Sequence, residues 1–529
     1  MSITLLKANQ RSACFEINCG DDYIYKSPHK YKVYINGDLH TSGDLNVFSV
    51  FGLRPDMLYS LRVEFDNGTE LRHEFVTPKE RLFLDVEKFG CVGDGIKDCT
   101  NALQSAINAC GKDGGTVYVK KGTYLTYPLF VNSNVLLYLD EGAVLLGGTD
   151  RTNYPILPGI VMNENETNEQ TFGTWEGNPL DSFASLITTI DSCNVVIAGQ
   201  GTIDANAGNG DWWQNHKTKK IAWRPRTVFA VRATDFTLMG ITIKNSPSWT
   251  VHPYYCTNVD ILNISINNPS DTPNTDGCNP ESTENVRIIG SEISVGDDCI
   301  AVKSGKYYMS VYHPRPSKNI LVRNCLLKRG HGAVVVGSEI SSGVYNLTVE
   351  RCLMQNTDRG LRIKTRRGRG SKSIVDKVSF CNIFMDGVLT PFSVNMFYNC
   401  DPDGHTDMVR NKGKGNFVNE LTPYIGNITC RHITCIDAAY AGVFLYGLPE
   451  NPVESFDMKD VKIFFNHNAE KGMPDMMDDF EPIQNLTMFV TNVKRLRISD
   501  VEFDGYGEKY LQLNDIDDPI VVMEGVPNE

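Results

Sequence analysis

Two acidic clusters carry the most legible chemistry in this chain, Asn274-Thr275-Asp276-Gly277 and Gly296-Asp297-Asp298-Cys299. Between them, residues 286–295 read as a short strand, a turn and a second strand, which puts the clusters in register. Asp276 and Asp297 are 21 residues apart, about one coil of a β solenoid, whose repeats run to roughly 20 to 50 residues. One coil later in sequence is one rung higher on the same wall. Three carboxylates stacked that closely cannot all ionise comfortably, because like charges sharing a site push at least one pKa up. The spacing therefore predicts a protonated acid beside an ionised base. Adjacent Asp297 and Asp298 would point to opposite faces of an ideal strand, so both serve one site only if a corner or bulge, set by Gly296, re-aims one of them.

Two further clusters follow in order. Gly330-His331-Gly332 places its histidine 34 residues after Asp297, and Arg362-Ile363-Lys364 begins 31 residues after His331, so each is expected a coil further along. Side chains alternate along a strand, so Arg362 and Lys364 share a face. Together they can grip a carboxylate, the guanidinium bidentately and the ammonium as a second charge. The whole chain carries a net charge of −13, which makes this pair, beside Arg366, Arg367 and Arg369, a local basic anomaly suited to an anionic ligand. Taken singly, each cluster is an ordinary turn, solvated corner or wet strand face. All four in order within one repeat region make a site.

The elements that must hold these residues are strands. From residue 83 the chain repeats an Asn, an apolar triplet and a Gly or polar residue, starting at Asn134, Asn194, Asn258, Asn285, Asn319, Asn346 and Asn427. Recurrent strands with Asn at the turns and no long helices between them predict an all-β fold, a right-handed parallel β-helix. A helix over residues 100–110, with Ala102, Leu103, Ala106, Ile107 and Cys110 on one face, is placed to cover the open end of the column. Interruptions are expected at 154–183, 206–225, 385–424 and 447–483. On a solenoid such insertions wall a groove, and Trp175, Trp212, Trp213 and Trp223 could there face a sugar ring or simply pack the loops. Residues 1–79 read as a separate β-sandwich with a hairpin turn at Asn36-Gly37 and a Leu53-x-Pro55-x-x-x-Tyr59 pattern between two strands; this module resembles a fibronectin type III domain. The division expected is 1–79 and 80–529, with the linker around residues 77–80.

Composition bounds the rest. With 41% hydrophobic and 22% charged residues the chain is an ordinary folded protein. The acidic balance argues against nucleic acid or an anionic membrane as partner. No apolar run reaches the roughly 18 to 20 residues that span a bilayer, and the first residues lack the sections of a signal peptide, so a cytoplasmic location is expected. The 15 cysteines are scattered through apolar strands and suit buried thiols better than a disulfide framework or a zinc site.

The ordered set Asn274-Thr275-Asp276-Gly277, Gly296-Asp297-Asp298, Gly330-His331-Gly332 and Arg362-Ile363-Lys364 resembles the signature motifs of the polygalacturonases, glycoside hydrolase family 28. The segment Asn395-Met396-Phe397-Tyr398 is similar to the part that carries that family's active-site tyrosine. One departure is Gly296, where many members have Gln. The resemblance implies hydrolysis of α-1,4-linked galacturonic acid with inversion and without a metal or other cofactor. It implies Asp297 as general acid, Asp276 and Asp298 holding and deprotonating water, and His331 supporting the acid. Arg362 and Lys364 would bind a substrate carboxylate, and Tyr398 and Asn274 would line the sugar subsites. The sandwich module and large loops are similar to those of the exo-acting bacterial branch, which favours release from a chain end of pectate or oligogalacturonide. Another pectic backbone (rhamnogalacturonan or xylogalacturonan), a Ca²⁺-dependent pectate lyase and a non-catalytic carbohydrate-binding β-helix remain as alternatives. The oligomeric state is not legible.

Overall fold

The computed structural model describes residues 1–165, 168–414, 416–507 and 511–524. From Phe83 onward most strands pair in parallel with the strand one coil later. One coil shows the plan: Glu284–Ile289, Glu292–Ser294 and Ile300–Val302 lie on three faces. They pair in register with Ser317–Arg323, Leu326–Lys328 and Val334–Val336 of the next coil. The result is a right-handed parallel β-helix. Val286, Ile288, Ile293, Ile300 and Val302 point inward and join a continuous apolar column that runs from Val86 to Phe503.

The repeated asparagines make the corners. Asn258, Asn285 and Asn319 stand at φ 58° and Asn346 at φ 56°, a left-handed conformation that Asn tolerates better than most side chains. Their amides then bond along the stack: Asn285 donates to Asn258, Asn319 to Asn285 and Asn346 to Asn319, each at 3.0 Å. The expected helix spans Thr100–Ala109 and buries Leu103, Ala106 and Ile107 in the same column, closing its end against water.

Residues 2–76 form two antiparallel sheets. Ser2–Ala8, Ala13–Asn18 and Val47–Val50 make one; Asp38–Leu45, Lys26–Ile35, Leu58–Phe65 and Glu70–Val76 make the other. Phe15, Val33, Phe48, Leu61 and Phe75 pack between them. Asn36 at φ 50° and Gly37 at φ 95° form the hairpin turn, and the Tyr59 hydroxyl accepts a hydrogen bond from Arg54 N at 2.7 Å, the corner arrangement known from such sandwiches. Leu6, Cys14 and Val47 lie on Leu136, Val196, Met239, Leu262 and Ile289, an apolar stripe on the outside of the solenoid. Glu16 pairs with Arg323 at 2.7 Å. At Gly290, φ 67°, a Cβ would lie 2.4 Å from Val47, so the close approach requires glycine.

Two expected interruptions differ in extent. Residues 385–424 contain the strand Thr390–Asn395, and 447–483 contain Val453–Phe465. Buried Phe392, Val394, Phe456, Met458, Val461 and Ile463 keep the rung pattern there, through stretches whose Pro and Gly residues read as loop. The segments that do leave the solenoid at these places are 396–423 and 466–485. The latter enters the face built by Ile300–Val302, Val334–Val336 and Arg359–Lys364, and so does 154–183; both cross to the opposite edge. Gly177 O accepts from Lys306 N at 2.8 Å, and Glu169 binds the Tyr308 hydroxyl at 2.9 Å and His313 at 2.5 Å. On the other side Asp478 accepts from Asn399 at 2.8 Å and Asp479 pairs with Arg410 at 2.8 Å.

Candidate active site

Register brings the aspartates together. Cys278 bridges to Ile300, and Gly277 N donates to Asp298 O at 3.0 Å, so Asp276 lies against Asp298 one rung on. Between Glu292–Ser294 and Ile300–Val302 the chain bends at Gly296 and Asp297. A Cβ at Gly296 would lie 2.5 Å from Thr272 O, so glycine lets this corner tuck beneath the neighbouring loop. Asp298 N donates to Asp297 Oδ1 at 2.9 Å. An oxygen from each of Asp276, Asp297 and Asp298 lies within 4.8 Å of the others, so the corner does re-aim consecutive side chains into one site.

Carboxylates so close and so buried need opposite charge, and the chain supplies it. Lys364 Nζ is 2.7 Å from Asp298 Oδ2, and Arg362 Nη1 is 3.7 Å from Oδ1. Lys303 Nζ is 3.8 Å from Asp276 and 3.2 Å from Glu339, while Asn279 donates to Asp276 at 2.7 Å. His331 Nδ1 stands 3.6 Å from Asp297. A Cβ at Gly332 would meet Val335 at 2.4 Å and Asp298 Oδ1 at 3.3 Å, so the glycine flanking His331 clears room for the carboxylate. Arg362 and Lys364 share a face, as alternation predicts, but that face is buried and its partners are the chain's own acids. The outer edge of Arg362 is held by Asp475. Tyr398 stacks its ring 5.5 Å from Arg362 and 5.4 Å from Lys364, and its hydroxyl points at Met476 Sδ, 3.5 Å away. Three carboxylates at this spacing could also hold a divalent cation. Lys303, Arg362 and Lys364 already deliver the compensating charge to them.

Access separates the three. The side chain of Asp297 is 24% exposed, that of Asp276 3% and that of Asp298 2%. Asp297 and His331 open on a cavity of about 550 Å³ lined also by Trp213, His216, Asp271 and Asn274. Asn274 Oδ1 accepts from Arg224 Nη2 at 2.6 Å. Trp213 is the one tryptophan of those singled out that reaches this cavity; Trp212 is buried, and Trp175 stacks on Trp223 at 4.8 Å. Those three pack the loops.

Electrostatics divide the acids further. Burial, and then the charge of Asp297, push the Asp276 carboxyl well above the usual carboxylate range. Burial acts on Asp297 in the same sense, but the His331 imidazolium beside it, backed by Lys364 and Lys303, holds it below that range. In return the Asp297 carboxylate raises His331 above its ordinary 6.5. Within the cluster the proton is thus favoured on Asp276 and on His331 over Asp297. The carboxylate spacing predicts a protonated acid without saying which, and the family resemblance implies Asp297 as general acid; charges from other rungs favour the ionised form of Asp297 in the free chain.

Lys303, Asp475, Arg224 and Asn279 escaped the sequence reading. Lys303 sits in outward parity with Ala301 on the strand after Asp298, a weak signal that was available. Asp475 comes from a loop 113 residues beyond Arg362, and no local pattern marks it.

Known proteins resemble this chain over most of its length. The profile of the Glycosyl hydrolases family 28 matches residues 146–473, and that of Rhamnogalacturonase A/epimerase, pectate lyase-like, matches residues 83–150. A relative described as "Probable polygalacturonase" from Vitis vinifera is 31% identical over 75% of this chain and 77% of its own length. An "Endo-polygalacturonase" of Pectobacterium carotovorum subsp. carotovorum is 31% identical over 56% of this chain and 72% of its own. The solved family 28 exopolygalacturonase of Yersinia enterocolitica superposes with a TM-score of 0.70, covering 97% of this chain and 98% of that one; at 18% identity the likeness is one of fold.

Proposed function

This chain belongs to glycosyl hydrolases family 28, and we propose from that premise that it hydrolyses α-1,4-linked galacturonic acid from a chain end, with inversion. One observation carries the catalytic reading: of three clustered aspartates, Asp297 alone faces a cavity, while Asp276 and Asp298 stand behind it among cations.

An inverting glycosidase needs a protonated carboxyl at the leaving oxygen and a carboxylate that activates water from the opposite side. Asp297 is the acid because only it can touch the bond. Its proton comes from His331, 3.6 Å away: a uronate entering the cavity adds negative charge beside Asp297 and displaces water, both of which raise a carboxyl's pKa. Asp298 receives the water's proton on Oδ1, which has no hydrogen-bond partner among the described residues, while Lys364 holds Oδ2. Asp276 orients the same water. Lys303, Arg362 and Lys364 offset the charge of the clustered acids, so a substrate bearing one carboxylate per sugar does not meet an uncompensated anionic wall. His331 and Asn274 line the subsite that the sugar enters, and Tyr398 supports the cations from behind.

Action at a chain end is supported by the two segments that cross the floor, 154–183 at one side of the aspartates and 466–485 at the other. A polymer cannot thread along a floor bridged at both sides; a terminus can enter from the cavity beside Asp297. A rhamnogalacturonan substrate is the rival, suggested by the profile that matches residues 83–150, a stretch that contains none of the site residues.

The test is product analysis over time on polygalacturonate and defined oligogalacturonides, with EDTA and with absorbance recorded for unsaturated ends. Early release of only mono- or digalacturonate, unaffected by EDTA, is expected. A mixed ladder would overturn chain-end action, unsaturated ends would mean elimination, and turnover of rhamnogalacturonan alone would reassign the substrate.

A further inference from the structure

Asp475 lies on the crossing segment 466–485 and is fully buried. Its Oδ1 accepts from Arg362 Nε at 3.1 Å and from Nη2 at 2.5 Å, and its Oδ2 accepts from the Ser393 hydroxyl at 2.5 Å. The same loop is fastened to the floor by Arg359, whose Nε donates to Pro474 O at 2.9 Å and Nη2 to Met473 O at 2.8 Å, and by Asn395, which donates to Met476 O at 2.8 Å. With its Nε and Nη2 edge occupied, Arg362 has one nitrogen left, Nη1, and that nitrogen faces Asp298 Oδ1 at 3.7 Å. The guanidinium is planar, so fixing one edge fixes where the other points.

We propose that Asp475 is a positioning residue for hydrolysis: by gripping Arg362 it aims that guanidinium at Asp298 and offsets its charge, keeping Asp298 both oriented and basic enough to accept the proton of the attacking water. The inference rests on the reading of Asp298 as base. The motif offers Arg362 to a substrate carboxylate; in the folded chain Asp475 already holds its Nε and Nη2 edge. Asp298 is faced by Lys364 and Arg362, by Asp276 and Asp297, and at longer range by His331 and Lys303. Asp475 is faced by Arg362 and Arg359, which against burial hold its carboxyl at about 2, and by Tyr398. It is therefore an anion throughout the working range, and the charge it offsets is constant.

Asp475→Asn leaves Arg362 with its full charge turned on Asp298 and with freedom to rotate. Steady-state kinetics of the full-length protein are measured on the pectic oligosaccharide that the wild type turns over fastest, across pH. The expected result is a fall in kcat of about 10- to 100-fold, KM within about threefold, and an acid limb of the kcat profile moved to lower pH, because an unopposed cation makes its neighbouring carboxylate a weaker base. Asp475→Glu should restore part of both. Ser393→Ala, which loosens Asp475 without unpairing a charge, should move kcat and the limb in the same direction by less, and it keeps the test alive if Asp475→Asn does not fold. A fall in KM at unchanged kcat would show that Asp475 merely occupies a cation meant for substrate, and an unmoved acid limb in both variants would reduce Asp475 to a loop fastening; either overturns the proposal. Full activity in Asp298→Asn would instead remove the reading of Asp298 as base, and a wild type that spares oligogalacturonide but cleaves another pectic chain would change only the substrate.

Discussion

Asp297 combines access to the cavity with a neighbour, His331, that can hand it a proton, and its substitution should be the most damaging single change in the molecule. Asp297→Asn is expected to lower kcat by about 10²- to 10⁴-fold, the range of general acid catalysis, with KM little changed; a loss confined to KM would make Asp297 a binding residue. The stereochemistry is equally checkable. Clustered oxygens within 4.8 Å lie closer than the roughly 6.5–9.5 Å that usually separates the carboxyls of inverting enzymes, so the water must be held beside Asp276 and Asp298 rather than between distant groups. Proton NMR of the first product should show the β anomer; the α anomer would make one aspartate a nucleophile. The charge coupling can be read on its own. His331 is raised by Asp297, so its imidazole should titrate above the ordinary value of 6.5 and fall back toward it in Asp297→Asn. A group raised in the folded state adds stability below its unfolded pKa and loses that contribution as pH climbs through the folded one, so this contact favours the folded protein on the acid side. An unchanged His331 titration in Asp297→Asn would uncouple the pair.

At the scale of elements, the crossing segments and the end helix do separate work. Segment 154–183 ties one edge of the floor to the other through Gly177, Glu169 and their partners on 306–313. Replacing residues 159–180 by a short glycine linker should open that side, so that a mixed ladder of longer oligogalacturonides appears early in the reaction; continued release of one small product would place the block elsewhere. The helix Thr100–Ala109 acts far from the site. Leu103 is fully buried against the end of the column, and Leu103→Ala should destabilise that end by about 2–5 kcal/mol. Thermal unfolding should begin earlier, while kcat at a permissive temperature stays as in the wild type, because each coil of a solenoid contacts chiefly its neighbours. A variant that loses activity while still folded would contradict that local reading.

For the whole molecule, the N-terminal module is a cover as much as an appendage. It buries the stripe Leu136, Val196, Met239, Leu262 and Ile289, an apolar patch spanning several coils that water would otherwise meet and that invites association. Removal of residues 1–79 is therefore expected to give a protein that elutes as aggregate on size exclusion or stays insoluble. A monomeric truncated protein with wild-type melting would show the stripe to be tolerated in water.

How much of this was legible in advance follows from distance along the chain. The asparagine corners, the alternating apolar triplets, the end helix and the Asn36-Gly37 turn are local patterns whose conformational preferences act within a few residues, so sequence determined the β-helix and the sandwich. Sequence also determined that Asp276, Asp297, Asp298, His331, Arg362 and Lys364 would share one wall, because strand parity and a repeat of about one coil leave little freedom in where they can go. It did not determine what each would touch. Segments 154–183 and 466–485 fold back over a floor built by other coils, and the partners they and neighbouring rungs bring, Asp475 to Arg362 and Lys303 to Asp276, come from far along the chain or from the outward face of a strand with no motif. Nor did it determine the proton's place: a pKa is set by burial and by charges a few ångströms away, and only the closed tertiary structure decided that Asp276 is raised while His331 holds Asp297 down.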